Sequence, residues 1–197
     1  AGDAAPRTTE EYDGSSFSTG GSLSAGGGDG VQTTGLQTDT LAVGGYTSAY
    51  IDDCSSYNGC TWTTEADISL TTNYGRIASR SHNDAFYFGG YAGSSLETDT
   101  FNYNGTSWSA GGSLPAGNNV MQACGLPTDC LSTGGSRIAN NDSAFYDGST
   151  WSAGGTNGNF DRYSPSNAVD CNGTFAGVMF GGGTSSSYSG ADVQVVH

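Results

Sequence analysis

The chain has 197 residues, enough for one domain, with 35% apolar residues, 12% charged residues and 33 glycines. Its formal charge is −14 and it has no lysine; the five cations are Arg7, Arg76, Arg80, Arg137 and Arg162. Such a surface repels phosphate backbones and anionic membranes, and no apolar run is long enough to span a bilayer, so nucleic-acid binding and membrane insertion are not expected. Low charge combined with low hydrophobicity would suit disorder. Against that, three Trp, eleven Tyr and eight Phe recur at regular spacing, and an ordered, glycine-punctuated all-β protein is expected.

In chain order, residues 1–7 read as an N-terminal arm and 8–13 as a Tyr-bearing strand. YDGSSFSTGG follows at 12–21, and its Asp-Gly is a tight-turn signal. GLQTDTL at 35–41 flanks a further turn and runs into the apolar strand LAVGG at 41–45. A second Tyr-bearing strand at 48–57 leads into YNGCTWTTEA at 57–66, and AFYFGG follows at 85–90. The third Tyr strand, 97–103, opens YNGTSWSAGG at 103–112; GLPTDCL at 125–131 then leads into CLSTGG at 130–135. The fourth, 142–146, opens YDGSTWSAGG at 146–155. VMFGGG at 178–183 and ADVQVVH at 191–197 complete the series. No segment keeps a helical period, and Gly-rich clusters would break a helix.

Two landmarks share one period. The opening tyrosines Tyr12, Tyr57, Tyr103 and Tyr146 are 45, 46 and 43 residues apart, and the doublets starting at Gly44, Gly89, Gly134 and Gly181 are 45, 45 and 47 apart. Each Tyr is followed five residues on by an aromatic: Phe17, Trp62, Trp108 and Trp151. Four repeats of about 45 residues with short strands are the signature of propeller blades. Their landmarks span 12–45, 57–90, 103–135 and 146–183 of a single domain covering residues 1–197. The eight aromatics Tyr12, Phe17, Tyr57, Trp62, Tyr103, Trp108, Tyr146 and Trp151 are expected as core anchors.

An apolar strand ending in Gly-Gly, then a Tyr, then a Trp, resembles the kelch motif over residues 10–197. The likeness is greatest to kelch-like repeats of marine bacteriophage and metagenomic virion proteins, which carry phrases similar to TTEEYDGSSF at 8–17 and to GGSL at 20–23 and 111–114. The chain departs from ordinary kelch in a Tyr-to-Trp interval about one residue shorter, and in lacking, in most repeats, the Arg that often follows the Trp strand. The resemblance implies a β-propeller closed by pairing the N- and C-terminal strands, with 191–197 as the closing strand. Because open sheet edges invite association, the alternative is an open repeat completed by strand exchange between subunits.

Cys124 and Cys130 flank the GLPTD turn, and Cys54 and Cys60 bracket SSYNG; both pairs are disulfide candidates, a pairing suited to the extracellular side. Buried thiols are the alternative for Cys124 and Cys130, and Cys171 reads as a buried free thiol. Asn104, Asn141 and Asn172 fit the glycosylation acceptor pattern, but Asn-Gly turns explain at least two of them. With only His82 and His197, the chain lacks the ligands of a copper oxidase or a zinc site. No nucleophile elbow, P-loop or zinc-protease motif occurs. Glu10, Glu11, Asp52, Asp53 and Asp99 could serve as paired acids or calcium ligands, although acidic turn residues ordinarily serve only solvation. No enzyme activity and no cofactor are expected.

The resemblance implies a non-enzymatic bacteriophage virion structural or adhesion protein, a tail or capsid decoration. It would sit at the virion surface or outside the cell and present a rigid surface to a host glycan, other virion proteins or its own copies. The alternative is a secreted structural subunit polymerising head to tail. Specificity is assigned to loops 71–80, 91–97, 117–122 and 155–168, with Tyr74, Arg76, Tyr91, Tyr163 and Tyr188 as contact candidates.

Overall fold

Each Tyr-to-aromatic step folds as a hairpin closed by the same four-residue turn. Asp13 Oδ1 accepts hydrogen bonds from the N–H groups of Ser15 and Ser16, both at 2.8 Å. Asn58 caps Cys60 and Thr61 at 3.0 and 2.9 Å, and Asn104 caps Thr106 and Ser107 at the same distances. Asp147 caps Ser149 and Thr150 at 2.9 and 2.7 Å. The glycine after each cap takes φ between 86° and 96°, which only glycine adopts without strain. The turn sets the register, so each Tyr lies directly opposite its aromatic partner. Ring centroids are 4.9, 4.9, 4.8 and 4.9 Å apart in the four hairpins.

The computed structural model describes residues 7–23, 27–136 and 142–156, together with the backbone of three further strands at 166–168, 177–180 and 193–196. The protein is all-β, with no helix among the described residues. β1 (Thr8–Tyr12) and β2 (Phe17–Ser22) form a lone hairpin. Three antiparallel meanders of four strands follow. The first is β3 (Gln32–Leu36), β4 (Asp39–Val43), β5 (Cys54–Tyr57) and β6 (Trp62–Thr64). The second is β7 (Arg76–Ser81), β8 (Asp84–Phe88), β9 (Thr100–Tyr103) and β10 (Trp108–Ala110). The third is β11 (Gln122–Leu126), β12 (Asp129–Thr133), β13 (Asp142–Tyr146) and β14 (Trp151–Thr156). A last sheet holds β15 (Ser166–Ala168), β16 (Gly177–Phe180) and β17 (Val193–Val196). In each meander the glycine doublet ends the second strand, the Tyr ends the third and the Trp starts the fourth. β1 and β2 occupy the places of a third and a fourth strand, and β17 that of a third strand. β1 is hydrogen-bonded to β2 and β17 to β16.

Successive meanders pack face to face because strand alternation gives each sheet two apolar sides. Leu41 and Val43 of one sheet meet Ile77, Ala85, Tyr87 and Tyr103 of the next. Phe86 and Phe88, on the opposite side of β8, meet Cys130, Ala144, Tyr146 and Trp151 of the third. First strands stand side by side, β3 against β7, β7 against β11 and β11 against β15. Each Trp indole N–H reaches across to the preceding unit: Trp62 to Thr9 at 2.8 Å, Trp108 to the Ala66 carbonyl at 2.8 Å and Trp151 to Thr100 at 2.9 Å.

The doublets are glycines of necessity. Gly44, Gly89 and Gly134 have φ of 68°, 64° and 69°, and each following glycine lies between 114° and 118°. At Gly89 a Cβ would meet the Asn118 carbonyl oxygen at 2.6 Å, so the crossover between sheets is held against this bend.

Two expectations are overturned. Tyr12 and Phe17 pair as rings but are 51% and 70% exposed, whereas Tyr57, Tyr103 and Tyr146 are 4%, 3% and 0% exposed. Among the described residues, no sheet lies over the outer face of the lone hairpin. The two cysteine pairs do not bridge: Cys54, Cys60 and Cys130 are free thiols, while Cys124 is disulfide-bonded. The two-residue turn at 127–128 sets Cys130 opposite Gly125 and Cys124 opposite Leu131, so the two side chains leave opposite faces of the sheet. Cys54 lies at the far end of β5 from the turn that holds Cys60. Burial pushes the Cys54 thiol up to about 12, helped by the charge of Glu65, and burial raises Cys130 likewise. Cys171 lies outside the described residues.

Candidate functional site

The two ends of the sheets differ. Among the described residues, one carries only two- and four-residue turns. The other gathers the connections from second to third strands, 44–53 and 89–99, and the crossovers between sheets at 65–75 and 111–121. Tyr74, Arg76 and Tyr91 all belong to this loop end. Asn73 and Tyr91 exchange backbone hydrogen bonds at 3.2 and 2.9 Å, which ties the crossover that carries Tyr74 and leads into Arg76 to the loop carrying Tyr91. Tyr163 and Tyr188 lie outside the described residues, as does most of loop 155–168.

Residues 30, 74 and 120 stand two places before the first strands β3, β7 and β11. Gly30, Tyr74 and Val120 have φ of 71°, 54° and 48°, and for the last two this left-handed backbone costs roughly 1–3 kcal/mol each. Hydrogen bonds link the three: Tyr74 N–H to the Gly30 carbonyl at 3.1 Å and Val120 N–H to the Tyr74 carbonyl at 2.8 Å. The Tyr74 hydroxyl donates to the Asp29 carboxylate. Two residues further on come Gln32, Arg76 and Gln122. The half-buried Arg76 guanidinium donates to Gln32 Oε1 at 3.3 Å and to Gln122 Oε1. Gln32 is itself held by its own amide N–H, which reaches the Gly30 and Val31 carbonyls at 3.2 and 3.3 Å. Burial lowers the Arg76 pKa below its ordinary value.

Beside this row is a ladder of three tyrosines. The Tyr46 and Tyr50 rings are 5.0 Å apart and those of Tyr50 and Tyr91 5.8 Å apart. Tyr46 is exposed. Desolvation, then the neighbouring Tyr91 and Tyr46, raises the Tyr50 pKa, so its hydroxyl stays a neutral donor at pH 7. Such a row of flat, amphipathic faces can stack on sugar rings or on apolar side chains of a partner.

Tyr46, Tyr50, Asp29, Gln32 and Gln122 were not singled out from sequence. The signal was present: Tyr46 follows its glycine doublet as Tyr91 follows the next, and Gln32, Arg76 and Gln122 keep the repeat period with steps of 44 and 46. Among the carboxylates considered for catalysis, Glu11 accepts the Tyr57 hydroxyl between units. No three His, Cys, Asp or Glu side chains gather as a metal site among the described residues. The chain matches no protein-family model, and no curated protein is significantly similar to it in sequence.

Proposed function

We propose that the chain is a non-enzymatic structural and adhesion protein of bacteriophage virions, of the kelch-like type, acting at the virion surface. Its meanders are blades of a β-propeller, and the loop end meets a host glycan or another virion protein. The blade reading is supported by first strands standing side by side and by the repeated packing of one sheet's forward face on the next sheet's back face. The virion assignment rests on the resemblance of TTEEYDGSSF and GGSL to phage repeats. One observation carries the contact role. The aromatics of the Tyr-to-Trp hairpins, from Tyr57 to Trp151, are packed between sheets, whereas Tyr46, Tyr50 and Tyr91, which lie outside those hairpins, gather at the loop end.

The double variant Tyr46→Ala, Tyr91→Ala is expected to weaken attachment to host cells or purified surface glycan at least about tenfold, the loss of two contact aromatics, with the melting temperature little changed. Unchanged attachment would overturn the reading.

A second reading, assembly by strand exchange, is favoured by a cleft of about 490 Å³ beside β1, lined by Thr8, Glu10, Tyr12, Val31, Thr33 and Thr40. Among the described residues β1 pairs on one edge only, and the cleft lies where the other units carry their first and second strands. Deletion of residues 191–197 separates the two: a stable monomer that no longer assembles supports exchange, and an unfolded monomer supports closure within the chain.

A further inference from the structure

Among the described residues, Arg76 is a half-buried cation without a counter-charge. A guanidinium carries five N–H donors, and two of these are spent on Gln32 and Gln122, whose amide oxygens bring no net charge. No carboxylate among the described residues bonds it, in a chain with nineteen Asp and Glu against five Arg. Leaving a partly desolvated charge unpaired is costly, and here it is held between Gln32 and Gln122, beside a row that keeps two non-glycine residues in the left-handed region. Strain of this kind persists where the surroundings fix it and concentrates at ligand clamps. The two glutamines fix the plane of the fork before any ligand arrives, and a fixed fork suits a planar carboxylate.

A second feature lies close by. Asn73 is buried, and its Oδ1 has no hydrogen-bond donor among the described residues. In the next sheet the matching Asn119 receives the Ser136 hydroxyl. The residue that matches Ser136 here is Tyr91, whose own hydroxyl goes to the Gly93 carbonyl at 2.8 Å. The loop end therefore offers a cation with no carboxylate partner among the described residues, beside a ladder of tyrosine rings of which Tyr46 is exposed.

We propose that Arg76 anchors the carboxylate of an acidic sugar of the hexuronate class, bound at the loop end with its ring against the neighbouring tyrosines. This rests on the reading that the loop end contacts glycan. A sugar is favoured over an acidic peptide because stacking faces accompany the cation. A singly charged group is favoured because the chain's charge of −14 opposes a dianion.

Calorimetric titration of the full chain with glucuronate, its methyl ester, glucose and N-acetylaspartate amide tests this. Glucuronate is expected to bind at least about tenfold more tightly than the ester, the worth of a charge-assisted hydrogen bond. That preference should vanish in Arg76→Gln and survive in part in Arg76→Lys. Equal binding of acid and ester, an unchanged preference in Arg76→Gln, or N-acetylaspartate amide binding as tightly as glucuronate would each overturn the proposal. The acid–ester comparison uses the unaltered chain, so it decides even if a variant fails to fold. Glucose binding that is lost in the Tyr46, Tyr91 double variant, with no preference for the acid, would sink the role of Arg76 and spare the glycan reading. Binding of no sugar would sink both.

Discussion

The hairpins at 8–22 and 142–156 are built from nearly the same words and meet opposite fates. Both close on an Asp cap followed by a left-handed glycine, and both set a Tyr against an aromatic at 4.9 Å. Yet Tyr146 is fully buried, with Phe86 stacked at 5.3 Å, while Tyr12 is half exposed. Local sequence therefore fixes the hairpin and its ring pair. Burial comes from elsewhere: among the described residues, Tyr146 has a complete sheet lying over it, and Tyr12 does not. The aromatic pair is a connector that becomes core only when a preceding unit covers it.

The largest expected contrast is in stability. Tyr146→Ala should cost about 3–5 kcal/mol, as for other large buried aromatics, and Tyr12→Ala about 0.5 kcal/mol, as for an exposed site. Urea unfolding of the two variants measures both, and similar losses would mean that a neighbour covers Tyr12 in solution. Next come the glycines. Gly89→Ala adds a Cβ against the Asn118 carbonyl at a residue with φ of 64°, and about 2–3 kcal/mol should be lost. Gly14→Ala, with φ of 96° but open space around it, should lose only about 1 kcal/mol. The same unfolding curves rank them, and the reverse order would contradict the close approach at the doublet.

The smallest contrast concerns pH, where the two hairpins should agree. Backbone N–H groups of Ser16 and Ser15 hold the Asp13 carboxyl below its ordinary 3.8, and those of Thr150 and Ser149 do the same for Asp147. A depressed folded pKa stabilises above the unfolded value and is lost as pH falls through the folded value. Both turns should therefore weaken only under acid conditions, below the ordinary Asp value of 3.8. Carboxyl NMR titration of each Asp checks this, and an ordinary value at Asp13 alone would show its turn open. Asp13→Asn should remove the pH dependence and keep the turn, since Asn58 and Asn104 cap the equivalent turns.

What could be read from the sequence follows the range of the interactions involved. The Tyr-to-Trp register was legible because a four-residue turn with its own cap decides it. The doublets were legible because positive φ demands glycine there. Cys124 and Cys130 misled because a single register step, set by the two-residue turn between them, sends neighbouring side chains to opposite faces. The exposure of Tyr12 and Phe17 depends on whether another sheet lies above them, which no local pattern encodes. Tyr74, Arg76 and Tyr91 stood out because they lie in the segments 71–80 and 91–97, which interrupt the strand pattern. Their companions Gln32 and Gln122 did not, because each is ordinary alone and acquires meaning only when three first strands bring the row together.

The self-capped turns carry a consequence for biosynthesis. A hairpin closing over four residues forms within microseconds, far faster than a ribosome adds the next 45 residues at about 5–20 per second. Each hairpin should thus be made before its successor emerges, and growth should proceed by stacking units on those already in place, as in repeat proteins generally. Pulse-labelling hydrogen exchange on ribosome-bound chains stalled at successive lengths should show protection of 54–64 before that of 142–156. Simultaneous protection of both would point instead to one concerted collapse.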